Sequence, residues 1–266
     1  MKKGIRYGVL ALILYVIFLL VLLPADRVYA VLKEKIALPV SLYQVKGSLW
    51  NGSAAVALIS NQRLESVDWR LMPWAMFIGH LQIALAFDSN GGRVDAVMGR
   101  TLVGNYFMHD INVMLPASAI EPVVEPLIKP LKLGLSGDVT ANLQELAIKG
   151  NHLTTVNGRI TWKDAGLSTS AAGSVGSFEI NFETTADGVK GVLKDIEGPL
   201  QANGVIMLRP DGSYQFTASF TPRDARRNDI KQGLRFIGNP DPAGKVTTSQ
   251  TGKLQLEKYL PFIAAS

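Results

Sequence analysis

The chain has 266 residues, 47% of them apolar, with 27 basic and 22 acidic side chains and no cysteine. The missing thiols exclude disulfides, thiolate zinc sites, iron–sulfur clusters and cysteine nucleophiles. Three basic groups, Lys2, Lys3 and Arg6, lie in the first six residues, and the rest carries 24 basic against 22 acidic groups, a balance that speaks against a nucleic-acid surface.

Residues 7–25 carry no charge, and 13 of the 15 residues from Val9 to Leu23 are Leu, Ile, Val or Phe. As a helix the 19 residues span roughly 28 Å at about 1.5 Å per residue, close to a hydrocarbon core of about 30 Å. The stretch therefore reads as a single transmembrane helix in a segment 1–25. The basic tail marks the cytoplasmic side and sends the remainder across the membrane. The competing reading is a cleavable signal peptide, for which Val28-Tyr29-Ala30 offers the spacing of a processing site. Against it, Val28, Val31, Leu32 and Ile36 share one helical face up to Pro39, which predicts a helical linker over 26–39 and a retained anchor.

From residue 40 onward the period falls to two. Leu81, Ile83, Leu85 and Phe87 alternate with polar or small residues, as do Ile111, Val113 and Leu115, then Val139, Ala141 and Leu143, then Phe178, Ile180 and Phe182. Tyr214, Phe216, Ala218 and Phe220 repeat the pattern, and Leu254 with Leu256 closes it. Such alternation predicts antiparallel strands with one face on a core. Asn90-Gly91, Asn157-Gly158, Asp187-Gly188, Asn203-Gly204 and Asp211-Gly212 are the dipeptides of tight hairpins. Two stretches read as helical: the proline-punctuated 116–129, and the segment after Pro222, where Ile230, Leu234 and Ile237 form one stripe. The basic cluster 223–235 within it, interrupted by Asp224 and Asp229, reads as a solvated helix face. Residues 71–87 read as a buried strand pair, because Pro73, His80 and Gln82 oppose a second membrane span. The expected fold is mainly β: the N-terminal transmembrane helix, then a large curved antiparallel sheet, groove or sandwich-like, with one or two short helices, in a β-rich domain over 40–266.

Chemistry-bearing constellations are sparse. Gly47 to Gly52 matches the glycine spacing of a phosphate loop, but Ser53 stands where such a loop needs lysine, and Ala55 to Leu58 reads as strand. His80, His109 and His152 are far apart in sequence, and His109-Asp110 lacks an accompanying nucleophile elbow. No catalytic, cofactor or metal residues are therefore expected, and the chain is read as a non-enzyme. Trp69 and Trp162 lie in alternating strands and are expected to pack in the core.

The segment VKGSLWNGSA (45–54) after an apolar leader, followed by SVDWRLMPWAMFIGHLQIAL (66–85), resembles the type II secretion system protein N family, also called general secretion pathway protein N. NGRITWKDAGL (157–167), DGSYQFTASFTPRD (211–224) and LRFIGNPDPAGKVTTSQTGKL (234–254) extend the resemblance in order along the chain. The resemblance implies a single-pass inner-membrane protein with a periplasmic domain, an accessory component supporting export of folded proteins across the outer membrane. Its implied partners are the lipid bilayer and other type II secretion proteins. Gly47, Leu49, Trp50 and Gly52, with Trp69 and Trp162, carry the motif and are read structurally: glycines for a turn or close approach, the larger side chains for packing. A periplasmic lipid or amphiphile carrier with an open β-groove is the second reading of the same apolar sheet face.

Overall fold

The computed structural model describes residues 2–35, 40–59, 62–124, 134–167, 174–224, 226–235, 237–254 and 256, apart from the side chains of 2–6, 8, 9, 13, 17, 20, 122–124 and 167. It divides into two compact units, Met1–Ser89 and Asn90–Ser266.

The first unit opens with α1 (Lys2–Val21) and α2 (Ala25–Lys35). The expected transmembrane helix falls on α1; among the described residues no helix is long and apolar enough to cross a membrane. Pro24 separates the two helices, since it offers no backbone N–H to continue α1 and is well tolerated just ahead of the first turn of α2. Asp26 in the first turn of α2 and Lys33 and Lys35 in its last complement the helix dipole. The apolar stripe expected on α2 does not pack as a stripe, because Val31 and Leu32 are exposed, and Ile36 and Pro39 lie outside the described residues. The Tyr29 hydroxyl ties the helix down instead, accepting the Leu42 N–H at 2.9 Å.

The sheet of this unit contains β1 (Val40–Tyr43), β2 (Lys46–Gly47), β3 (Asn51–Ile59), β4 (Gln62–Leu71) and β5 (His80–Ser89). β1 and β4 flank β3, β5 follows β4, and β2 makes a short pair with β3, all antiparallel. Ala54, Ala57 and Val67 form its core, with Val40, Leu42, Leu64, Trp69 and Phe87 packed around them. The strand pair expected over 71–87 is half right. β5 occupies the second half, but Pro73 starts a 3-10 helix, Pro73–Ile78, where the first half was expected to be strand. The missing proline N–H costs nothing at the first turn of a helix and would break a central strand.

The second unit is a meander. β6 (Gly92–Thr101), β7 (Tyr106–Pro116), β8 (Leu135–Lys149), β9 (His152–Leu167), β10 (Ser174–Thr185), β11 (Gly188–Glu197), β12 (Leu200–Leu208), β13 (Ser213–Pro222) and β14 (Val246–Lys253) lie side by side in chain order. Every neighbouring pair is antiparallel, and these nine strands make one open layer, which favours the groove over the sandwich reading. Short helices fill part of one side. Ala117 and Ile120 of α3 (Ala117–Val124) rest on Leu135, Val139, Ile160 and Trp162. Ile230 and Leu234 of α4 (Asn228–Leu234) rest on Leu200, Val246 and Phe220. Full burial of such an aliphatic side chain contributes about 1.5–3 kcal/mol. The expected stripe of this helix stops at Leu234, since α4 ends there and Ile237 is exposed.

Turn chemistry predicts three hairpin tips and misplaces two. Asn90-Gly91, Asp187-Gly188 and Asp211-Gly212 fall at turns, and the Asp211 carboxylate accepts the Ser213 N–H at 2.9 Å. Asn157-Gly158 and Asn203-Gly204 lie inside β9 and β12. At the first, Gly158 takes φ +142° beside a register shift between Leu143 and Glu145, and an added Cβ would meet Asn142 O at 2.4 Å. The dipeptide there serves a bulge and a close backbone approach. Leu254 and Leu256 follow β14 instead of extending it, and pack on Ile148, Leu146 and Leu153.

Candidate functional site

The motif residues of the first unit converge on one corner of its sheet. Gly47 and Gly52 pair across the β2–β3 hairpin, whose turn closes through Ser48 N–H to Asn51 O at 2.9 Å and Asn51 N–H to Ser48 Oγ at 3.1 Å. Gly47 adopts φ +84°, and a Cβ there would stand 2.6 Å from Asn51 O. At Gly52 a Cβ would stand 2.4 Å from Trp69 Cζ2, so the absent side chain is the space the indole occupies. Trp69, opposite Gly52 on β4, donates its indole N–H to Leu49 O at 3.1 Å. Trp69 is half-buried beside the Ala54, Ala57 and Val67 cluster, and this hydrogen bond gives its covered indole N–H an acceptor.

The corner also holds the chain leaving α1. Leu49 N–H donates to Leu23 O at 2.8 Å, and Pro24 forms an isolated antiparallel bridge with Ser48. Trp50 O accepts the Leu71 N–H at 2.8 Å at the end of β4. Leu49 and Ser48 thus hold the end of the apolar leader, while Gly47, Trp50, Gly52 and Trp69 tie the hairpin that carries them to β3 and β4, and together they form a clasp. None of these residues carries a titratable group. Sequence reading missed Leu23, Leu71, Ser48 and Asn51 as members of this clasp. The Ser-x-x-Asn spacing across the turn was the available signal, since Ser hydroxyls and Asn backbones close such turns locally.

Trp162 lies in the second unit. Its indole N–H donates to Ser136 O at 2.9 Å, its ring stands 6.4 Å from Phe178 at a tilt of 55°, and it flanks the α3 cluster.

The two faces of the second sheet differ in character. One cross-strand row runs Asn112, Asn142, Arg159 and Asn181, and a groove of about 710 Å³ here is lined by Asn142, Arg159, Asn181 and Lys190 together with Phe182 and Val192. Arg159 there donates to Asn181 Oδ1 at 3.0 Å and pairs with Glu179 at 3.2 Å. The adjacent row runs Val113, Ala141, Ile160, Ile180 and Leu193, pointing to the opposite face, and all but Ala141 are only half-buried.

His109 and Asp110 do pair, with Nδ1 2.8 Å from Asp110 Oδ2, on a solvent-reached part of β7 where Asp110 takes φ +52°. His80 and His152 open β5 and β9. Among the described residues no three His, Asp or Glu side chains are grouped as a metal site would require.

The family model for "Type II secretion system (T2SS), protein N" matches residues 39–249. The chain is 27% identical over 259 residues to Type II secretion system protein N of Aeromonas hydrophila, covering 96% of this chain and 100% of that protein. It is 26% identical over 262 residues to the protein of the same name from Vibrio cholerae, again covering 96% and 100%. The corresponding protein of Pectobacterium carotovorum is 23% identical over 260 residues, covering 96% and 99%. No solved structure matches the chain.

Proposed function

Because this chain belongs to the type II secretion system protein N family, we propose that it is a non-catalytic accessory component of that system, anchored in the inner membrane through residues 7–25. Its N-terminus lies in the cytoplasm, and the β-rich body from residue 40 onward lies in the periplasm beside other secretion proteins. There it supports export of folded proteins across the outer membrane. The observation that carries the reading is the family match over residues 39–249, joined to an uncharged leader over 7–25 whose end is hydrogen-bonded to Leu49 of the first β-hairpin. A leader removed by processing at Ala30 would leave that corner without Leu23 and Pro24 and would cut α2. The motif residues Gly47, Leu49, Trp50 and Gly52, with Trp69, act here as the structural joint between anchor and body, and Trp162 supports the second sheet.

The test is an in-frame deletion together with protease treatment of intact cells and spheroplasts. Loss of the chain traps a secreted substrate in the periplasm, and protease reaches the body only after the outer membrane is opened. Normal export in the deletion strain, with no secretion protein recovered by crosslinking in the membrane, overturns the reading.

A second reading, an amphiphile-binding role, is favoured by the half-buried row Val113, Ile160, Ile180 and Leu193 on a single open layer. A photoreactive fatty acid then crosslinks to the full-length chain and loses that reaction in Ile180→Asp. Equal labelling of both proteins rejects it.

A further inference from the structure

We propose that the 3-10 turn Pro73–Ile78, together with Leu81, is a bilayer-inserting foot by which the first unit rests on the membrane surface. This inference depends on the anchored reading above. Its starting point is an accumulation of large apolar side chains in water: Trp74 is 59% exposed, Met76 55%, Phe77 92%, Ile78 62% and Leu81 51%. Only Ala75 of the turn points inward, fully buried. Contiguous apolar patches of this kind on a folded surface mark a contact with a membrane or a partner.

Position decides between those occupants. Two backbone hydrogen bonds connect the last residues of the apolar leader to the strand entering the turn, Leu49 N–H to Leu23 O at 2.8 Å and Leu71 N–H to Trp50 O at 2.8 Å, and Met72 N–H to Gln82 O at 3.0 Å closes the base of the turn. β4 ends and β5 begins at the same end of this sheet, because Leu71 pairs with Ile83 and Asn51 with Arg70. Neighbouring strands lie about 4.8 Å apart, which puts the turn on the order of 10 Å from the point where the leader leaves the sheet. If the leader spans the bilayer, this end of the sheet faces the headgroups. The composition fits that depth, since Trp favours the interfacial zone while Phe, Ile, Met and Leu favour the acyl boundary. Lys46 and Arg70 are exposed at the same end, where they suit anionic headgroups, with Asp68 as the acidic neighbour on β4. A pocket in another protein would need no such placement beside the leader.

The chain has no native cysteine, so one substituted residue carries a single fluorophore. The full-length protein is reconstituted into vesicles of phosphatidylethanolamine and phosphatidylglycerol, labelled through Phe77→Cys, Leu14→Cys or Arg63→Cys. Emission is then read against lipids with nitroxides along the acyl chain and against aqueous iodide. The foot predicts lipid quenching at Phe77→Cys, with a depth of about 5–10 Å into the headgroup and acyl boundary. Leu14→Cys is quenched more deeply, and Arg63→Cys, at the far end of β4, is quenched only by iodide. Iodide quenching at Phe77→Cys with lipid quenching at Leu14→Cys overturns the foot and leaves the anchor standing. Iodide quenching at both positions overturns both. A Phe77→Cys label shielded from lipid and iodide alike means contact with a second copy, and it also overturns the proposal. As a further measurement, Phe77→Asp, which removes an almost fully exposed side chain, keeps the circular dichroism spectrum and abolishes lipid quenching of a label at Trp74→Cys. Retained lipid quenching in that double variant counts against the foot.

Discussion

Gly52 leaves no room for even a methyl group, since an added Cβ would lie 2.4 Å from Trp69 Cζ2 and 2.8 Å from Ser48 O. The ring is held by its hydrogen bond to Leu49 O and the oxygen belongs to the β2–β3 turn, so neither yields without loosening the clasp. Gly52→Ala therefore destabilises the first unit by about 1–3 kcal/mol, the usual cost of overpacking. A urea titration of the detergent-solubilised chain, followed by tryptophan emission, measures it; an unchanged midpoint contradicts the packing argument. Asp195 poses the opposite problem, a polar group doing two jobs under cover. Its Oδ1 accepts the N–H of Ala202, which is fully buried, at 2.9 Å, and its Oδ2 pairs with half-exposed Arg223. Asp195→Ala leaves that N–H without its acceptor and costs about 1–3 kcal/mol, whereas Asp195→Asn keeps an oxygen and recovers most of the loss. Equal midpoints for the two variants would mean that the ion pair, not the amide contact, matters.

α4 shows how a short helix stays in place. Seven residues are too few to be stable alone, so it depends on Ile230 and Leu234 below and on an acidic first turn above. Asp229 is pulled down from its ordinary 3.8 to about 2, chiefly by the hydrogen bonds from the Arg227 guanidinium, with help from the Ile230 N–H. Because the folded-state pKa is the depressed one, this stabilisation is complete above 3.8 and disappears as the pH falls toward about 2. Lowering the pH through that window shifts the urea midpoint more in the wild-type chain than in Asp229→Asn, and parallel curves would discard the assignment. The two sides of the second sheet give a comparison at the same scale. Ile180 and Asn181 are neighbours in β10 on opposite faces, so Ile180→Asp places a charge among the half-buried Ile160 and Leu193, while Asn181→Asp adds one between Arg159 and Glu179, where attraction to the first offsets repulsion from the second. The first stays folded but lowers the urea midpoint of the detergent-solubilised chain by the equivalent of about 1–3 kcal/mol, and the second keeps a midpoint within about 0.5 kcal/mol of the wild type, as surface changes usually do.

At the scale of the whole molecule, the β character was readable wherever apolar residues alternate, as in Phe178, Ile180 and Phe182 of β10, because period two has one structural meaning once the run is long enough. The family was readable because the Gly47–Gly52 motif and the later segments occur in order along nearly the entire chain. What escaped reading was decided across the sequence. Asn157-Gly158 carries the local chemistry of a turn, but the backbone of Asn142 and Leu143 on β8 requires a residue without a side chain at that point of β9. Pro73 turned an expected strand into a helical turn, and Leu256 left its strand to cover Ile148. The clasp was visible as glycines and tryptophans but not as a joint, since Trp69 reaches Leu49 across 20 residues and Leu49 reaches back 26 to Leu23.

From β6 to β14 each strand is the partner of the one synthesised just before it. A chain delivered by its leading end, through a ribosome tunnel or a translocation channel, thus never has to hold an unpaired ribbon in reserve for a mate still inside. Most of these connections are short, so their closure cost is small and is incurred one addition at a time, and the two longer ones, which carry α3 and α4, still join neighbouring strands. The layer lengthens at its growing margin like knitting, row upon row, so an interrupted translocation strands a shorter fabric with finished rows instead of a tangle.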